Sequence, residues 1–554
     1  MSSVREVLRA AVEAARDEAI ARGDLTIPHA SELPAVRIER PARAEHGDFA
    51  TNAAMQLAPM AGMAPMRIAA ALVAAVHLPE AMASAEVAPP GFINLRLEPG
   101  WVADQVAEML DAGSAYGRVP VLRPRSVNVE FVSANPTGPL TLGNARGAFV
   151  GDLLCRVLEA VGHRVTREYY FNDFNAQVRN LGLSVLARRK DEPIPEDGYH
   201  GAYVADLAAN LPDETWAAAT APGADPGEVL GRWASERVRA GIEESLQRLG
   251  VRFDVWTSEG SLYRERWVDR AIEQLRTAGD VYEKDGATWF RSSRLGDDKD
   301  RVVYRSNGQP TYFASDIGYL AQKFSRGFDE LIYLWGEDHH GTVARNRAAA
   351  QALGFDPQSV HWLLMAWVRF VRDGTEIGMS KRAGEFVTLD ELLAEIGPDA
   401  ARWFFGSRAT TTGIDFDIEL AKRQSNENPV YYVQYAHARC RSILRNATDR
   451  GVEPSTEQAR DLLRHPAEQA LIRELLRLPD VISDAAARRE THEVPKYCLE
   501  VANLFSQFYR DCRVLTDDPD EGRFSAARLA LVDAVRLVLA NSLGTLGISA
   551  PETM

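Results

Sequence analysis

Cysteine is scarce in these 554 residues: Cys155, Cys440, Cys498 and Cys512 are the only four, and no two stand in a C-x-x-C pair. So few, so spaced, they exclude a disulfide scaffold and a thiolate zinc site, and a reducing compartment, the cytoplasm, is expected. Long hydrophobic runs are also missing. A membrane span needs about 18–20 uninterrupted apolar residues, and Arg67 breaks one candidate while Asp533 and Arg536 break the other, so no membrane partner is expected. At the N-terminus there is no signal-peptide core; Val4, Val7, Leu8, Ala11, Val12 and Ala15 instead share one face of an amphipathic helix. Basic charge is in deficit, 63 Lys and Arg against 78 Asp and Glu for a net −15, which taken alone argues against nucleic acid but averages over any local basic surface. Neither G-x-x-x-x-G-K-[ST] nor G-x-G-x-x-G occurs, so an ordinary P-loop ATPase and a standard dinucleotide oxidoreductase both lose their entry motif. Internal repeats and low-complexity tracts are absent as well.

What remains is a chain 46% apolar, long enough for three to four domains at about 150 residues each. Residues 1–115 read as a compact α+β unit, and Asp111 to Arg125, rich in Gly, Pro and Arg, as a linker. Val127 to Val132 alternates like a strand, Val150, Leu153, Leu154, Val157, Leu158 and Val161 recur at helical spacing, and His163 to Phe171 alternates again. Strand, helix, strand predicts a parallel sheet: an α/β fold with a doubly wound nucleotide-binding catalytic core over 116–411. Residues from about 180 to 300 read as a mostly helical, charged insertion, and Glu330 to Trp335 as a return to the sheet. From 412 to 554 nearly everything reads as helix, with stripes at Val433, Ala436, Cys440, Ile443 and Leu444 and at Leu529, Leu531, Val532, Val535 and Leu539.

Four features carry chemistry. Leu140-Thr141-Leu142-Gly143-Asn144 puts a small residue and polar donors at a helix start, where backbone N–H groups favour anions; simple capping is the other reading. Gly374 to Gly384 sets Ser380, Lys381 and Arg382 between glycines, suited to closing on polyphosphate or, equally, to a basic surface loop. Glu130 interrupts an apolar strand, where a carboxylate is expensive without a partner, and a structural salt bridge is one reading of it. Finally, Lys422, Arg423, Arg439 and Arg441 against Glu427 make a basic segment in an acidic chain, and Tyr431, Tyr435 and Arg439 recur every four residues beside the apolar stripe, a stacking surface for unstacked bases unless it is a solvated helix face.

The pair T-L-G-N and G-M-S-K-R resembles the H-x-G-H and K-M-S-K-S signatures of class I aminoacyl-tRNA synthetases. The segments N-V-E-F-V-S-A-N-P-T-G-P-L, R-E-Y-Y-F-N-D, D-D-K-D-R-V, Y-F-A-S-D-I-G-Y, W-G-E-D-H-H-G, Q-S-N-E-N-P-V-Y-Y-V-Q-Y-A-H-A-R and S-A-P-E-T-M narrow the resemblance to the arginyl-tRNA synthetases over almost the whole chain. That resemblance implies L-arginine, ATP with Mg²⁺, and tRNA(Arg) as partners, no protein-bound metal, and a chain that acts as a monomer. It places arginine on Glu130, Asn135, Tyr312 and Asp316, and ATP on Gly143, Gly336, Asp338, His339, Met379, Ser380 and Lys381. Catalysis falls to Thr141, Asn144 and Lys381, the D-loop corner of the tRNA to Phe92 and Asn94 in the N-terminal domain, and the anticodon to Tyr435 and Arg439 in the helical one. Adjacent His339 and His340 suggest a metal on their own, but no second His or Cys cluster lies nearby in sequence. Two departures matter: Thr141 and Asn144 stand where the family usually has histidines, and Gly378 where it usually has a lysine. A hydroxyl and an amide still donate hydrogen bonds to phosphate. The competing expectation is a relative that binds arginine or tRNA and has lost the chemistry.

Overall fold

The structure, a computed structural model, describes residues 3–27, 33–41, 43–173, 175–372, 374–377, 388–516, 518 and 522–554. Near the N-terminus the helix Val4–Ala21 starts at a capping box between Ser3 and Glu6 and buries Val4, Leu8, Val12, Ala15 and Ala19, the predicted face. It belongs to a unit with a three-stranded antiparallel sheet of β1 (Phe49–Thr51), β2 (Met82–Ala88) and β3 (Phe92–Leu97), in the order β1-β3-β2. The expected linker is helical in part, because the helix Pro99–Ala112 runs into its first two residues.

Next comes the parallel sheet that positions the site. β4 (Ser126–Glu130), β5 (Arg164–Phe171), β6 (Val255–Ser258), β10 (Glu330–Gly336) and β11 (Val360–Met365) lie in the order β11-β10-β4-β5-β6, and every neighbouring pair is parallel. The order runs outward in both directions from β4, as doubly winding requires. Val127 and Val129 on β4 and Leu331 and Ile332 on β10 have no exposed surface, as strands covered on both faces should. The helix Leu142–Ala160 crosses over from β4 to β5 and ends at Gly162, whose φ of 87° lets the chain reverse.

The stretch from 180 to 300 is less helical than the sequence suggests. Its helices are there, notably Ala176–Lys190 and Pro226–Arg248, but β6 lies within it and so do β7 (Val281–Lys284) and β8 (Ala287–Phe290), which with β9 (Arg301–Tyr304) form an antiparallel sheet. These strands are four residues each, too short for alternation to stand out in a charged sequence. A fourth sheet joins β12 (Val368–Arg372), β13 (Thr375–Glu376) and β14 (Ile414–Asp417), so the first element past Thr412 is a strand paired with β12, and the helical region starts after it. There the helix Gly522–Leu546 is long and apolar enough to cross a membrane by composition. Asp533 and Arg536 pair with each other at 2.6 Å, and Leu529, Leu531, Val532, Val535 and Leu539 are all fully buried, so packing in the helical bundle accounts for its apolar length.

Candidate active site

Where the winding reverses, between β4 and β10, the strands' carboxyl ends leave a crevice. The cleft there has a volume of about 990 Å³. Immediately past β4 the chain turns through Val132 at φ 67° and Ser133 at φ 43°. For a β-branched residue this is a strained conformation, costing about 1–3 kcal/mol and typical of functional turns. The turn sets Ser133 Oγ to donate to Glu130 Oε1 at 3.2 Å and to accept from the Tyr170 N–H at 3.2 Å.

Of the carboxylates that line this cleft, Glu337 and Asp338 follow β10, and Glu130, Asp316 and Glu259 form a second, mutually repelling group. Glu130 is 4% exposed and accepts a hydrogen bond from Lys323 Nζ at 2.5 Å, so the buried ion pair that its strand demands is present, and the carboxylate lines the cleft as well. Asp316, on the helix Tyr312–Ser325, is pushed up to about 7 by burial; Arg345 opposes the shift, and Glu259 and Glu130 add to it. Burial also raises Glu259, against hydrogen bonds from Ser315, Tyr170 and Asn172. With burial raising both Asp316 and Glu259, this part of the cleft is short of a cation, and a planar five-donor guanidinium supplies one. Tyr312 opens the same helix and is 68% exposed over the cleft; Asn135 lines it too, its Nδ2 donating to Gln177 at 2.8 Å.

Opposite, the helix Leu142–Ala160 points its N-terminus into the cleft at Gly143 and Asn144. Thr141 caps it, and its Oγ1 and N–H both donate to Asn144 Oδ1, at 3.1 and 3.2 Å. Capping and cleft lining therefore coincide: the Asn144 carbonyl is spent on Thr141, while its Nδ2 donates to nothing among the described residues. Thr141 also bridges to Thr388, and the Leu389 N–H donates to Leu140 O at 2.9 Å. This contact stitches the turn to the chain directly after residues 378–387. Met379, Ser380, Lys381 and Arg382 themselves lie outside the described residues. On the β10 side a Cβ at Gly336 would meet Asp338 Oδ1 at 2.4 Å, so a larger residue there would turn the exposed Asp338 side chain away. Asp338 and His339 line the rim, 3.8 Å apart. No group of three or more His, Cys, Asp and Glu able to hold a metal occurs among the described residues.

Sequence reasoning missed several residues of the cleft. Glu259 follows the four-residue β6 and reads as an ordinary helix start, and Lys323, two turns beyond Asp316, reads as a surface lysine but is fully buried. Trp335, Trp362 and Trp367 form an aromatic wall whose members come from two strands and a loop.

The expected RNA contacts lie elsewhere. Phe92 and Asn94 alternate with buried Ile93 and Leu95 on β3, and Phe92 is 37% exposed, so it is not a core residue. On the helix Pro429–Asp449, Tyr431 and Tyr435 stack at 6.5 Å, and Arg439 lies 5.8 Å from the Tyr435 ring and 4.4 Å from that of Tyr509. Tyr509, on the helix Glu493–Asp511, widens the stripe and was not legible from spacing because it belongs to a different helix.

Comparison with known proteins agrees across the chain. The arginyl tRNA synthetase N terminal domain profile matches residues 2–97, the class I (R) tRNA synthetase catalytic domain profile matches 105–201 and 227–404, and the DALR anticodon binding domain profile matches 433–554. An arginine-tRNA ligase of Geobacter sp. is 45% identical over 559 residues and one of Moorella thermoacetica 46% over 572, each covering 100% of both chains. The arginyl-tRNA synthetase structure of Thermus thermophilus, 23% identical, superposes with a TM-score of 0.78 over 100% of both chains and supports the fold. With its three domain profiles in order and full-length relatives at this identity, the chain belongs to the arginyl-tRNA synthetase family of class I.

Proposed function

We propose that this chain charges tRNA(Arg) at the cleft between β4 and β10, with its altered signature still serving the chemistry. In the family's reaction an arginine carboxylate oxygen attacks the α-phosphorus of ATP, the bond to pyrophosphate breaks, and arginyl-adenylate forms; the terminal ribose hydroxyl of the tRNA then attacks the arginyl carbonyl and releases AMP. No protein nucleophile is needed, so catalysis rests on positioning and charge neutralisation.

The observation that carries the reading is the convergence of Asp316, Glu259 and Glu130 on one cleft that also receives a helix N-terminus. The carboxylates and Tyr312 take the guanidinium, and Asn135 the backbone end. Gly143, the Asn144 amide and the N-terminus of Leu142–Ala160 face the phosphates, Gly336, Asp338 and His339 the rest of the nucleotide, and Met379, Ser380 and Lys381 complete the set of ATP-binding residues. Mg²⁺ enters with ATP as counter-charge to its polyphosphate. The Asn144 Nδ2, without an acceptor among the described residues, favours this reading over a binding-only relative. Residues 1–115 contact the tRNA corner through Phe92 and Asn94, 116–411 hold the chemistry, and 412–554 bind the anticodon through Tyr435 and Arg439, in a monomeric cytoplasmic enzyme.

Arginylation kinetics test the pocket. Glu130→Gln and Asp316→Asn should each raise the arginine KM at an expense of about 2–5 kcal/mol in kcat/KM, the scale for a desolvated charge pair. Wild-type arginine kinetics in both folded variants would place the amino acid elsewhere.

A further inference from the structure

The helix Tyr312–Ser325 lays one face over the parallel sheet, with Tyr312, Asp316, Tyr319 and Lys323 at successive three- and four-residue steps. Beneath it Glu130 and Glu168 are register partners on β4 and β5, so two carboxylates stand side by side, 4% and 0% exposed. Like charges in that position repel, and each needs its own compensation. Glu168 is saturated: it accepts from Asn128 at 2.6 Å, Thr257 at 2.7 Å, Tyr319 at 2.8 Å and Arg326 at 2.5 Å. Glu130 is not. Its Oε2 takes Lys323 Nζ at 2.5 Å, its Oε1 takes only the Ser133 hydroxyl, and it is the one of the two that lines the cleft.

Lys323 has no exposed surface, and its ammonium sits 4.3 Å and 4.0 Å from the ring centroids of Tyr319 and Tyr333. Among the described residues Glu130 is the only carboxylate within ion-pairing distance of it. An ammonium between two aromatic rings, in direct contact with Glu130 and near enough to Glu168 to stabilise its charge too, is fixed in place. It stands two turns below Asp316, about 10 Å along the helix axis, under the floor of the pocket.

We propose that Lys323 is a positioning residue for arginine recognition. Held at 2.5 Å, it anchors Glu130 Oε2, offsets the repulsion from Glu168, and leaves Oε1 aimed at the substrate guanidinium. The inference rests on the reading above that Glu130 accepts the guanidinium. It also leaves Asp316 and Glu259, which have no lysine or arginine ion-pair partner among the described residues, to balance the substrate's charge.

A double-mutant cycle read in steady-state arginylation tests it. Glu130→Gln and Lys323→Met should each raise the arginine KM about tenfold or more, with kcat at saturating arginine and the KM for ATP little changed. If Lys323 acts through Glu130, adding Lys323→Met to Glu130→Gln should cost no more than about twofold further. Losses that multiply in the double variant, or a Lys323→Met enzyme damaged equally in kcat and ATP KM, would overturn the proposal. An unchanged arginine KM in Glu130→Gln alone would instead remove the underlying pocket reading. Should Lys323→Met fail to fold, Lys323→Gln keeps an uncharged donor beside Glu130; it should still raise the arginine KM, and wild-type KM there would equally overturn the assignment.

Discussion

Asp316 holds its proton up to about pH 7 because burial disfavours the charge, and Glu259 and Glu130 press on it from the same cleft. An unfolded aspartate titrates near 3.9. A carboxyl raised in the fold contributes most to stability below its unfolded value, and that contribution is lost as pH climbs from about 4 through 7. Asp316→Asn should therefore stabilise the ligand-free protein at pH 8 by about 0.5–2 kcal/mol in denaturant melts, shrinking by pH 5, while it impairs arginine binding. A variant no more stable than wild type at pH 8 would mean the site is not strained by its own charge. The same residue sets a pH dependence in wild type: arginine KM should rise as pH falls below about 7.

Among elements, β10 does two jobs at its two ends. Its carboxyl end supplies Gly336 to the cleft; its start supplies Glu330, 5% exposed, which pairs with His361 at 3.1 Å, Arg125 at 3.3 Å and Arg489 of the helical region. Burial alone would raise Glu330, but His361 and Arg489 outweigh it and hold the carboxyl down to about 2. A depressed carboxyl gives stability above its unfolded value near 4.3 that is lost as pH falls toward 2. Glu330→Gln should flatten acid unfolding between about pH 4.5 and 2, and a wild-type acid transition in that variant would discount the cluster. Elements also divide what was legible. β4, β5, β10 and the helix after β4 were visible because each is long and strongly periodic, and Glu130 because a carboxylate in an apolar strand needs a reason. Glu259 and Lys323 were not: each has unremarkable neighbours, and only the pairing of β6 with β5 brings Glu259 to the cleft, and only the folding of the helix Tyr312–Ser325 brings Lys323 against Glu130 beneath it. The wall of Trp335, Trp362 and Trp367 likewise exists only once β10 and β11 are paired.

At the scale of the molecule the domains are tied by buried charge as well as apolar packing. Arg402, 4% exposed, donates to Asp152 at 2.8 Å, to Leu249 O at 2.8 Å and to Leu546 O at 3.1 Å, joining the catalytic core, the insertion and the last helix. Gly547 is needed beside it, because a Cβ there would meet the Arg402 guanidinium at 2.5 Å. Tyr435→Ala with Arg439→Ala should weaken tRNA binding and lower the salt slope of log Kd by about one unit for the lost cation, measured by filter binding across salt concentrations. Unchanged affinity and slope would move the anticodon contact away from this stripe.

The central claim is that a signature reading Thr141 and Asn144 still activates arginine, and ATP–pyrophosphate exchange in the presence of arginine and tRNA measures it directly. Wild type should exchange. Asn144→Ala should lose about 2.7–4 kcal/mol in kcat, the worth of one preorganised donor to developing phosphate charge, with little change in the arginine KM. No exchange by a folded wild-type protein that binds tRNA would contradict the account, as would exchange undiminished by Asn144→Ala.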